Sequence, residues 1–447
     1  MPRATGRCLA VVLAALSACL SPESPNPELQ ILVSPSETVL LVGETKLLTA
    51  AVRNAPGRSR ALPMSWWSSD TAVATVTPGG TVRGVHPGVA AIHVSAAGAE
   101  ALAAVEVAFL QLQPQRPKVI LDDTVRLTAV AVGPTGIVRL NPAIAWRSSD
   151  PTIATVDGAG VITGRGIGSA SIFAESDVVE VGVPVIVAPW TLVGAGDIAD
   201  CAWPRDEATA AILDSIPGIV FTAGDNAYPD GSAANYAGCY DPTWGRHKSR
   251  TRPTPGNHDY HIPGASAYFE YFGAAAGDPA TGYYSFDLGS WHIIAVNSVA
   301  PIGPGSAQIA WLADDLAAHR TRCTLAYWHY SLFSSGAYAI PAMRTAWETL
   351  YGAGADVVLS GHDHIYERFA PQSPAGQPDP ARGIREFVVG TGGGPLQPLL
   401  SIAPNSEVRD NHTYGVLKLS LYQDSYHWDF VPAAGGTFSD SGTASCH

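Results

Sequence analysis

The N-terminal part of the chain contains an internal sequence repeat. The segment WWSSDTAVATV (66–76) returns as WRSSDPTIATV (146–156) at an offset of 80 residues. Self-similarity at a fixed period indicates repeated structural units. Each unit holds short apolar runs rich in Val, Thr and Ile, separated by Gly, Pro and Ser-Asp clusters, and such runs are typical of β-sandwiches. The sequence therefore predicts two all-β sandwiches in tandem, over residues 28–108 and 109–188.

The pattern changes after residue 188. Apolar, strand-like runs now alternate with amphipathic stretches such as GSAQIAWLADDLAAHR (305–320) and AMRTAWETLYGAGA (342–355). Apolar residues recur at spacings of three and four in the first stretch, and the second ends in glycines that suit a helix C-terminus. Alternation of strands and helices favours an α/β domain, which we place at residues 189–447.

Residues 1–18 have the features of a secretory signal peptide. Two arginines precede an apolar stretch (8–16) that is too short to span a bilayer, and the sequence LSAC follows. LSAC resembles a bacterial lipobox, in which the cysteine (Cys19) is lipidated and becomes the first mature residue; ordinary cleavage that leaves Cys19 unmodified is the alternative. We therefore expect an exported chain with a lipid anchor, a linker at 19–27, and later domains outside the cytoplasm. The residues after Cys19 carry no acidic retention signal, which favours the outer membrane or the cell surface.

The charge of the chain narrows the range of partners. The 447 residues carry a formal net charge of −13, and charged residues make up only 15% of the chain. An acidic chain is poorly suited to the phosphate backbone of nucleic acids, so we expect no nucleic-acid partner. No segment after the signal peptide has the roughly 18 uninterrupted apolar residues of a membrane span, so any membrane contact should be made by the lipid.

Five polar motifs each follow an apolar, strand-like run in the α/β domain. They contain, in chain order, Asp197; Asp225, Asn226 and Tyr228; Asn257, His258 and Asp259; His329; and His362 and His364. In open α/β sheets, ligands bind beyond the carboxyl ends of the strands, where all five motifs would meet. Carboxylate, imidazole, amide and phenol ligands without thiolate suit Fe, Mn or Zn. The candidate ligands are more numerous than one metal ion requires, so they suit two metal ions that share a carboxylate.

Four cysteines remain outside the signal peptide and the lipobox. Export implies an oxidising compartment, where an even number of cysteines favours disulfides. Four cysteines allow three pairings. We favour Cys201–Cys239, which would join two loops near the candidate site, and Cys323–Cys446, which would fix the C-terminal tail.

The order of the polar motifs, GD, GDxxY, GNHD, H and GHxH, resembles the calcineurin-like metallophosphoesterase superfamily over about residues 190–432. Two details are similar to purple acid phosphatases: GDNAY places Tyr228 three residues after Asp225, and GHDHIYER continues the last motif with YER. Both N-terminal repeats likewise resemble bacterial Ig-like domains of group 2. These resemblances imply two mixed β-sheets packed face to face and flanked by helices, preceded by Ig-like spacers that could contact cell-surface components.

The resemblance also implies how the ligands divide between two metal ions. The first ion would be held by Asp197, Asp225, Tyr228 and His364, and the second by Asp225, Asn257, His329 and His362. A phenolate ligand favours a hard trivalent ion, so the first should be Fe³⁺; the second could be Fe²⁺, Zn²⁺ or Mn²⁺. His362 and His364 would then bind different ions, although alternate residues of an extended strand point to one side.

The function implied by the resemblance is that of an acid phosphatase. It would hydrolyse small phosphomonoesters by attack of a metal-bound hydroxide on phosphorus, with His258 as general acid for the leaving group and Asp259 orienting it. Two alternatives stay open. The same site serves phosphodiesterases and nucleotidases, and the chain could instead be a non-catalytic surface adhesion or scaffold protein that uses its Ig-like domains.

Three further residues are candidates for substrate binding. Asn226 directly follows the shared aspartate, and Arg246 and His247 lie in the stretch TWGRHKSRTRP (243–253). This basic stretch in an otherwise acidic chain could attract an anionic substrate. A solvated face with carboxylate neighbours is the alternative.

Overall fold

The computed structural model describes residues 29–54, 57–138 and 143–447. The expected signal peptide, the linker and the lipidation site Cys19 lie outside the described residues. The chain divides into two compact units, one up to Ala188 and one from Pro189 to His447. Among the described residues, no helix is both long and apolar enough to cross a membrane.

The first unit is built from β-strands. They are Leu29–Ser34, Glu37–Leu41, Thr45–Leu47, Thr49–Asn54, Ser59–Arg60, Ser65–Ser68, Ala74–Val76, Thr81–Gly84, Gly88–Ala96, Ala99–Gln113, Lys118–Ile120, Thr124–Arg126, Thr128–Gly133, Gly136–Val138, Ala145–Ser148, Ala154–Val156, Val161–Gly164, Gly168–Glu175 and Glu180–Ala188. Short, half-buried strands of this kind form the apolar interiors of two successive sandwiches. The all-β prediction for this region is therefore confirmed.

Both copies of the sequence repeat contain the same packing contact between a glycine and a tryptophan. Gly80 and Gly160 both have a left-handed backbone (φ 83° and 78°), and each lies under the indole ring of a tryptophan, Trp66 or Trp146. A side chain at Gly80 would approach the Leu48 carbonyl oxygen to 2.5 Å. The glycine and the tryptophan thus keep the same turn in both copies.

One long strand belongs to both repeats. The first part of Ala99–Gln113 pairs antiparallel with Gly88–Ala96 of the first repeat. Its last five residues pair antiparallel with Thr128–Gly133 of the second repeat. The expected boundary between residues 108 and 109 thus falls inside a continuous strand, which sequence similarity alone does not reveal.

The second unit contains two mixed sheets. The six-stranded sheet has the order Thr251–Thr254, Ile219–Ala223, Trp190–Ala195, Gly415–Leu421, Ser425–Pro432, Ser441–Ser445. The seven-stranded sheet has the order Tyr284–Leu288, Trp291–Ala295, Cys323–Tyr330, Val357–Gly361, Arg385–Val389, Tyr366–Phe369, Ser406–Asp410. A separate parallel pair joins Ala199–Asp200 to Ala227–Tyr228. Thr251–Thr254, Ile219–Ala223 and Trp190–Ala195 run parallel in the first sheet, and Trp291–Ala295, Cys323–Tyr330, Val357–Gly361 and Arg385–Val389 run parallel in the second. The carboxyl ends of parallel neighbours lie at the same edge of their sheet.

The two sheets pack face to face around one large apolar core. Phe221 of the six-stranded sheet and Tyr327 of the seven-stranded sheet lie 5.8 Å apart between ring centroids, and both are fully buried. The α-helices of the unit are Asp206–Ser215, Ala233–Asn235, Ser266–Phe272, Ala307–Ala318 and Arg344–Ala353. Single-turn or slightly longer 3₁₀ and π segments are Tyr236–Tyr240, Trp244–Arg250, Asp259–His261, Pro263–Ala265, Gly273–Ala276 and Pro341–Met343. The predicted fold, two mixed sheets flanked by helices, is confirmed.

Two disulfides brace this unit. Cys201 is bonded to Cys239, and Cys323 to Cys446, with Cα–Cα distances of 5.4 and 5.5 Å. These are the two pairs favoured from the sequence. The first joins the loop after Ala199–Asp200 to the segment Tyr236–Tyr240, and the second fixes the C-terminal tail to the start of a central strand.

Candidate metal centre

The candidate ligands lie where the central parallel strands end. Three of them, Asp197, Asp225 and His362, have a left-handed backbone, with φ of 59°, 48° and 72°. This conformation is uncommon for residues other than glycine and costs free energy, so the surrounding structure must hold it in place. Gly256 shows how tightly the strand ends meet, since a Cβ atom there would lie 2.1 Å from Asp225 Oδ1.

Four side chains form a first group of donors, which we call donor group one. The hydroxyl oxygen of Tyr228 lies 2.8 Å from Asp197 Oδ1, 3.1 Å from Asp225 Oδ2 and 3.1 Å from His364 Nε2. The other ring nitrogen of His364, Nδ1, lies 2.7 Å from the carbonyl oxygen of Pro395. Because that contact needs a proton on Nδ1, a neutral His364 directs its Nε2 lone pair at the other three side chains.

Donor group two consists of Asp225, Asn257, His329 and His362. His329 Nε2 lies 3.0 Å from Asn257 Oδ1 and 3.3 Å from Asp225 Oδ2. His329 Nδ1 lies 2.8 Å from the carbonyl oxygen of Ala223, which again leaves Nε2 as the atom that faces the group. A ligand atom of His362 lies within 4.8 Å of those of Asp225 and His329.

The two groups share Asp225 Oδ2, and both bring electron-pair donors together. Asp197 and Asp225 are at most 1% exposed, and no lysine or arginine in the part of the chain that the structure describes forms an ion pair with either. Buried carboxylates are costly unless a cation balances them. Two metal ions, one in each group and joined by Asp225, would satisfy this requirement with oxygen and nitrogen ligands alone.

The pKa shifts of the candidate ligands are those expected when several electron-pair donors lie close together. Burial lowers the pKa of His329, but the carboxylate of Asp225 raises it more, so that it lies at about 9. His362 shows the opposite balance, since burial and then the neighbouring His329 lower its pKa to about 4. Burial raises the pKa of Asp197, yet His364 and His329 outweigh this effect and hold it well below the usual range. Positive charge is thus strongly favoured between the carboxylates.

His258 lies at the rim of the two groups. Its backbone N–H donates to Asp225 Oδ1 over 2.8 Å, and its Nδ1 lies 2.6 Å from the carbonyl oxygen of Pro229. The remaining ring nitrogen, Nε2, lies 3.9 Å from Asp225 Oδ2, and the side chain is 31% exposed. Nε2 can therefore exchange a proton with a molecule bound next to the donor groups.

The structure corrects the role expected for Asp259. This carboxylate is fully buried and accepts hydrogen bonds from the Gly256 N–H (2.8 Å), the Asn226 side chain (3.0 Å) and the Tyr236 hydroxyl (2.6 Å). The Asp259 carboxylate makes no hydrogen bond to the imidazole of His258, whose Nδ1 faces the Pro229 carbonyl oxygen, so the direct contact that the prediction requires is not formed. Burial, and then the charge of Asp225, raises the pKa of Asp259 to about 6.

The structure places the three candidates for substrate binding in contact with other parts of the chain. Asn226 is fully buried, and its side-chain N–H groups donate to Asp259 and to the Thr254 carbonyl oxygen, so they support the loop. Arg246 is paired with Glu207 and Asp214, at 2.7 and 3.1 Å.

His247 is only 8% exposed, and it lies 3.1 Å from the same Asp214. At Arg246 and His247 the basic stretch therefore has carboxylate neighbours, as in the alternative drawn from the sequence.

Sequence reasoning missed two tyrosines beside His362. The ring of Tyr330 lies 4.7 Å and that of Tyr338 5.1 Å from the His362 ring, and Tyr338 is 47% exposed. The buried carboxylate of Asp363 holds the loop by accepting from the N–H groups of Ala337 and Tyr338. Tyr338 follows no strand, so the rule that found the other residues could not find it.

Comparisons with known proteins find two kinds of domain in this chain. The sequence model described as "Calcineurin-like phosphoesterase" matches residues 191–366, and that described as "Bacterial Ig-like domain (group 2)" matches residues 30–104 and 106–187. A solved purple acid phosphatase from yellow lupin (Lupinus luteus) seeds aligns with 94% of this chain and 96% of its own, at 14% identity and a TM-score of 0.47.

Curated relatives include several plant enzymes. Purple acid phosphatase 15 of Arabidopsis thaliana is 25% identical over 218 residues, which cover 40% of this chain and 41% of the relative. Probable purple acid phosphatase 20 of the same plant is 30% identical over 163 residues, which cover 30% and 38%. The chain thus spans about two fifths of the length of these relatives. The chain thus carries two regions that match bacterial Ig-like domains of group 2, followed by a region that matches the calcineurin-like phosphoesterase domain and is similar to plant purple acid phosphatases.

Proposed function

We propose that the chain is a binuclear-metal phosphohydrolase that hydrolyses small phosphomonoesters. One observation carries the proposal: two groups of buried oxygen and nitrogen donors share the single oxygen Asp225 Oδ2. Such a pair of sites suits two metal ions, which would supply a nucleophilic water at neutral pH and balance the charge of the phosphoryl oxygens. The phenol in donor group one favours Fe³⁺ there, and Fe²⁺, Zn²⁺ or Mn²⁺ would occupy donor group two.

The residues of the chain have distinct tasks in this reaction. The carbonyl oxygens of Ala223 and Pro395 fix the rings of His329 and His364, so that both Nε2 atoms face inward. Hydrogen bonds of this kind orient metal-binding imidazoles and fix their tautomer.

His258 is the proton donor to the leaving oxygen. With Nδ1–H directed at the Pro229 carbonyl oxygen, a protonated His258 presents Nε2–H to the space above Asp225. A general acid in this position would assist departure of an alkoxide, which is a poor leaving group without protonation.

We further propose that the protein is exported and lipid-anchored through Cys19. The two disulfides support an oxidising compartment, and the segment before Cys19 has the composition of a signal peptide. The Ig-like domains would then act as spacers that could also contact cell-surface components. Detection of the lipidated N-terminal cysteine by mass spectrometry of membrane fractions tests this part, and a mature chain that lacks lipid at Cys19 would refute it.

The activity is tested with a matched pair of variants. Asp225→Asn removes the shared carboxylate, and we expect it to lose both metal ions and hydrolysis of p-nitrophenyl phosphate. Asp200→Asn is the control, because the Asp200 carboxylate accepts from the Ala202 N–H of its own loop and belongs to neither donor group. Equal rates for wild type and Asp225→Asn would refute the proposal. A higher rate on bis(p-nitrophenyl) phosphate than on the monoester would keep the metal centre and refute the monoester substrate.

A further inference from the structure

A second cluster of histidines and aspartates lies apart from the donor groups in the same unit. His292, in the strand Trp291–Ala295, is 1% exposed and faces Asp287 of the neighbouring strand in direct register. Asp315 of the helix Ala307–Ala318 lies on its other side, and His319 is the residue after the helix end. The rings of His292 and His319 are stacked at 4.3 Å, with an interplanar angle of 10°.

Asp315 fixes the orientation of both imidazole rings. Its Oδ2 atom lies 2.8 Å from His292 Nε2, and its main-chain oxygen lies 2.9 Å from His319 Nδ1. The other carboxylate oxygen of Asp315 accepts from the Ser285 hydroxyl at 2.8 Å. A neutral imidazole donates from one nitrogen only, so with both rings neutral these bonds leave lone pairs on His292 Nδ1 and His319 Nε2.

The free nitrogen of His292 faces another electron-pair donor. His292 Nδ1 lies 2.8 Å from Asp287 Oδ1, so this contact needs a proton or a cation between the two atoms. One ligand atom from each of Asp287, His292 and His319 lies within 4.8 Å of the other two. The Asp287 and His319 side chains are 56% and 42% exposed, so both can move towards a cation, whereas His292 is held in the core.

We propose that Asp287, His292 and His319 form a surface site for Zn²⁺, with Asp315 as the residue that orients both imidazoles. Two imidazole nitrogens and one carboxylate oxygen are ligands that Zn²⁺ prefers, and water would complete its coordination. A carboxylate behind a metal-binding histidine is the usual arrangement at zinc sites. Ligand bonds of about 2.0–2.2 Å require the exposed His319 ring to tilt from its stacked position. The bound ion would tie the hairpin of residues 284–295 to the end of the helix.

The test counts metal ions in the full chain with its central ions already loaded. After removal of excess metal, Zn²⁺ is added and binding is followed by calorimetry, with Co²⁺ absorption as a second readout. We expect the wild type to bind one further equivalent. His319→Ala and Asp287→Asn should weaken that step by at least about tenfold. Both variants should keep the wild-type rate of phosphoester hydrolysis, because neither residue contacts the donor groups.

His86→Ala is the matched control, because it removes an exposed histidine of the first unit whose Nδ1 lies 3.0 Å from a carbonyl oxygen. The His86→Ala variant should bind the further equivalent of Zn²⁺ with the same affinity as the wild type. Zn²⁺ should also raise the thermal unfolding midpoint of the wild type more than that of His319→Ala. If the wild type binds no further equivalent, or if His319→Ala binds it with equal affinity, the cluster is an ion-paired network and the proposal fails.

Discussion

Tyr228 adds a phenol to donor group one, whose other donors are carboxylates and an imidazole. Its hydroxyl contacts three other donors of group one, and the side chain is almost fully buried. Tyr228→Phe keeps the ring and removes the phenol, so we expect loss of the visible absorption of an Fe³⁺–phenolate pair. Metal affinity should fall by at least about tenfold. Visible spectra and metal analysis of the purified variant measure both effects.

Tyr284→Phe is the control for this change. It removes a buried hydroxyl that donates to the Pro253 carbonyl oxygen at 2.8 Å, away from the donor groups. We expect a small loss of stability and an unchanged spectrum. A wild-type spectrum in Tyr228→Phe would remove Tyr228 from the set of ligands.

His258 gives a prediction about leaving groups. His258→Asn removes the proton donor at the rim, so kcat on an alkyl phosphate should fall by about 10²-fold or more. Hydrolysis of p-nitrophenyl phosphate should fall much less, because p-nitrophenolate leaves without protonation. The ratio of the two kcat values is the measurement.

His261 supplies the comparison, because its exposed ring lies 4.6 Å from the His258 ring. His261→Asn should leave the kcat ratio at the wild-type value. An equal fall on both substrates in His258→Asn would indicate that this residue binds the phosphate and does not donate a proton.

Much of the site could be predicted because its residues follow strands. The rule that strand ends meet at one edge of a sheet brings Asp197, Asp225 and His362 together without any knowledge of loops. The roles of Asp259 and Arg246 could not be predicted, because their partners come from other elements. Tyr236 lies in a short π segment, and the carboxylates that pair with Arg246 lie on a helix that sequence reasoning did not place.

At the level of secondary structure, local sequence patterns predicted two helices. The same patterns did not predict where the first repeat ends and the second begins. The stretches 305–320 and 342–355 form the helices Ala307–Ala318 and Arg344–Ala353. Both have an apolar stripe, and Gly354 ends the second in a left-handed conformation (φ 82°). The continuous strand Ala99–Gln113 had no such signal, because its first part pairs within the first repeat and its last part pairs with the second repeat.

A buried glutamate links the seven-stranded sheet to the loop that carries Tyr338. Glu386 is fully buried and accepts from the Ser360 hydroxyl and the Phe333 N–H. Burial, with a smaller effect of Glu367, raises its pKa from 4.5 to about 8. The folded protein therefore holds a proton that the unfolded chain releases between these two pH values. This contribution to stability is complete below pH 4.5 and is lost as the pH rises to about 8.

Glu386→Gln should remove that dependence. Across this window, the free energy of unfolding of the wild type should fall relative to the variant by up to about 1.4 kcal/mol per pH unit. Urea unfolding at pH 5 and pH 8 measures the difference. Glu348→Gln, a change on an exposed helix face, should track the wild type at both values. If the free energies of unfolding of wild type and Glu386→Gln differ by the same amount at pH 5 and at pH 8, Glu386 does not titrate on unfolding.

At the scale of the whole molecule, the candidate metal centre depends on one unit only. Both donor groups lie within Pro189–His447, as do Ala223 and Pro395, whose carbonyl oxygens support them, and both disulfides. That unit has its own large apolar core. A domain with its own core can fold alone. A fragment of residues 189–447, produced under oxidising conditions, should therefore keep kcat/KM within about twofold of the full chain.

Thermal unfolding separates the contributions of the two units. We expect two transitions for the full chain, one of which should match the single transition of the 189–447 fragment. A fragment of residues 29–188 should show the other transition and no hydrolysis, since none of the candidate ligands lies in it. Loss of hydrolysis in a folded, disulfide-bonded 189–447 fragment would mean that the Ig-like domains contribute to catalysis, and would contradict their role as spacers.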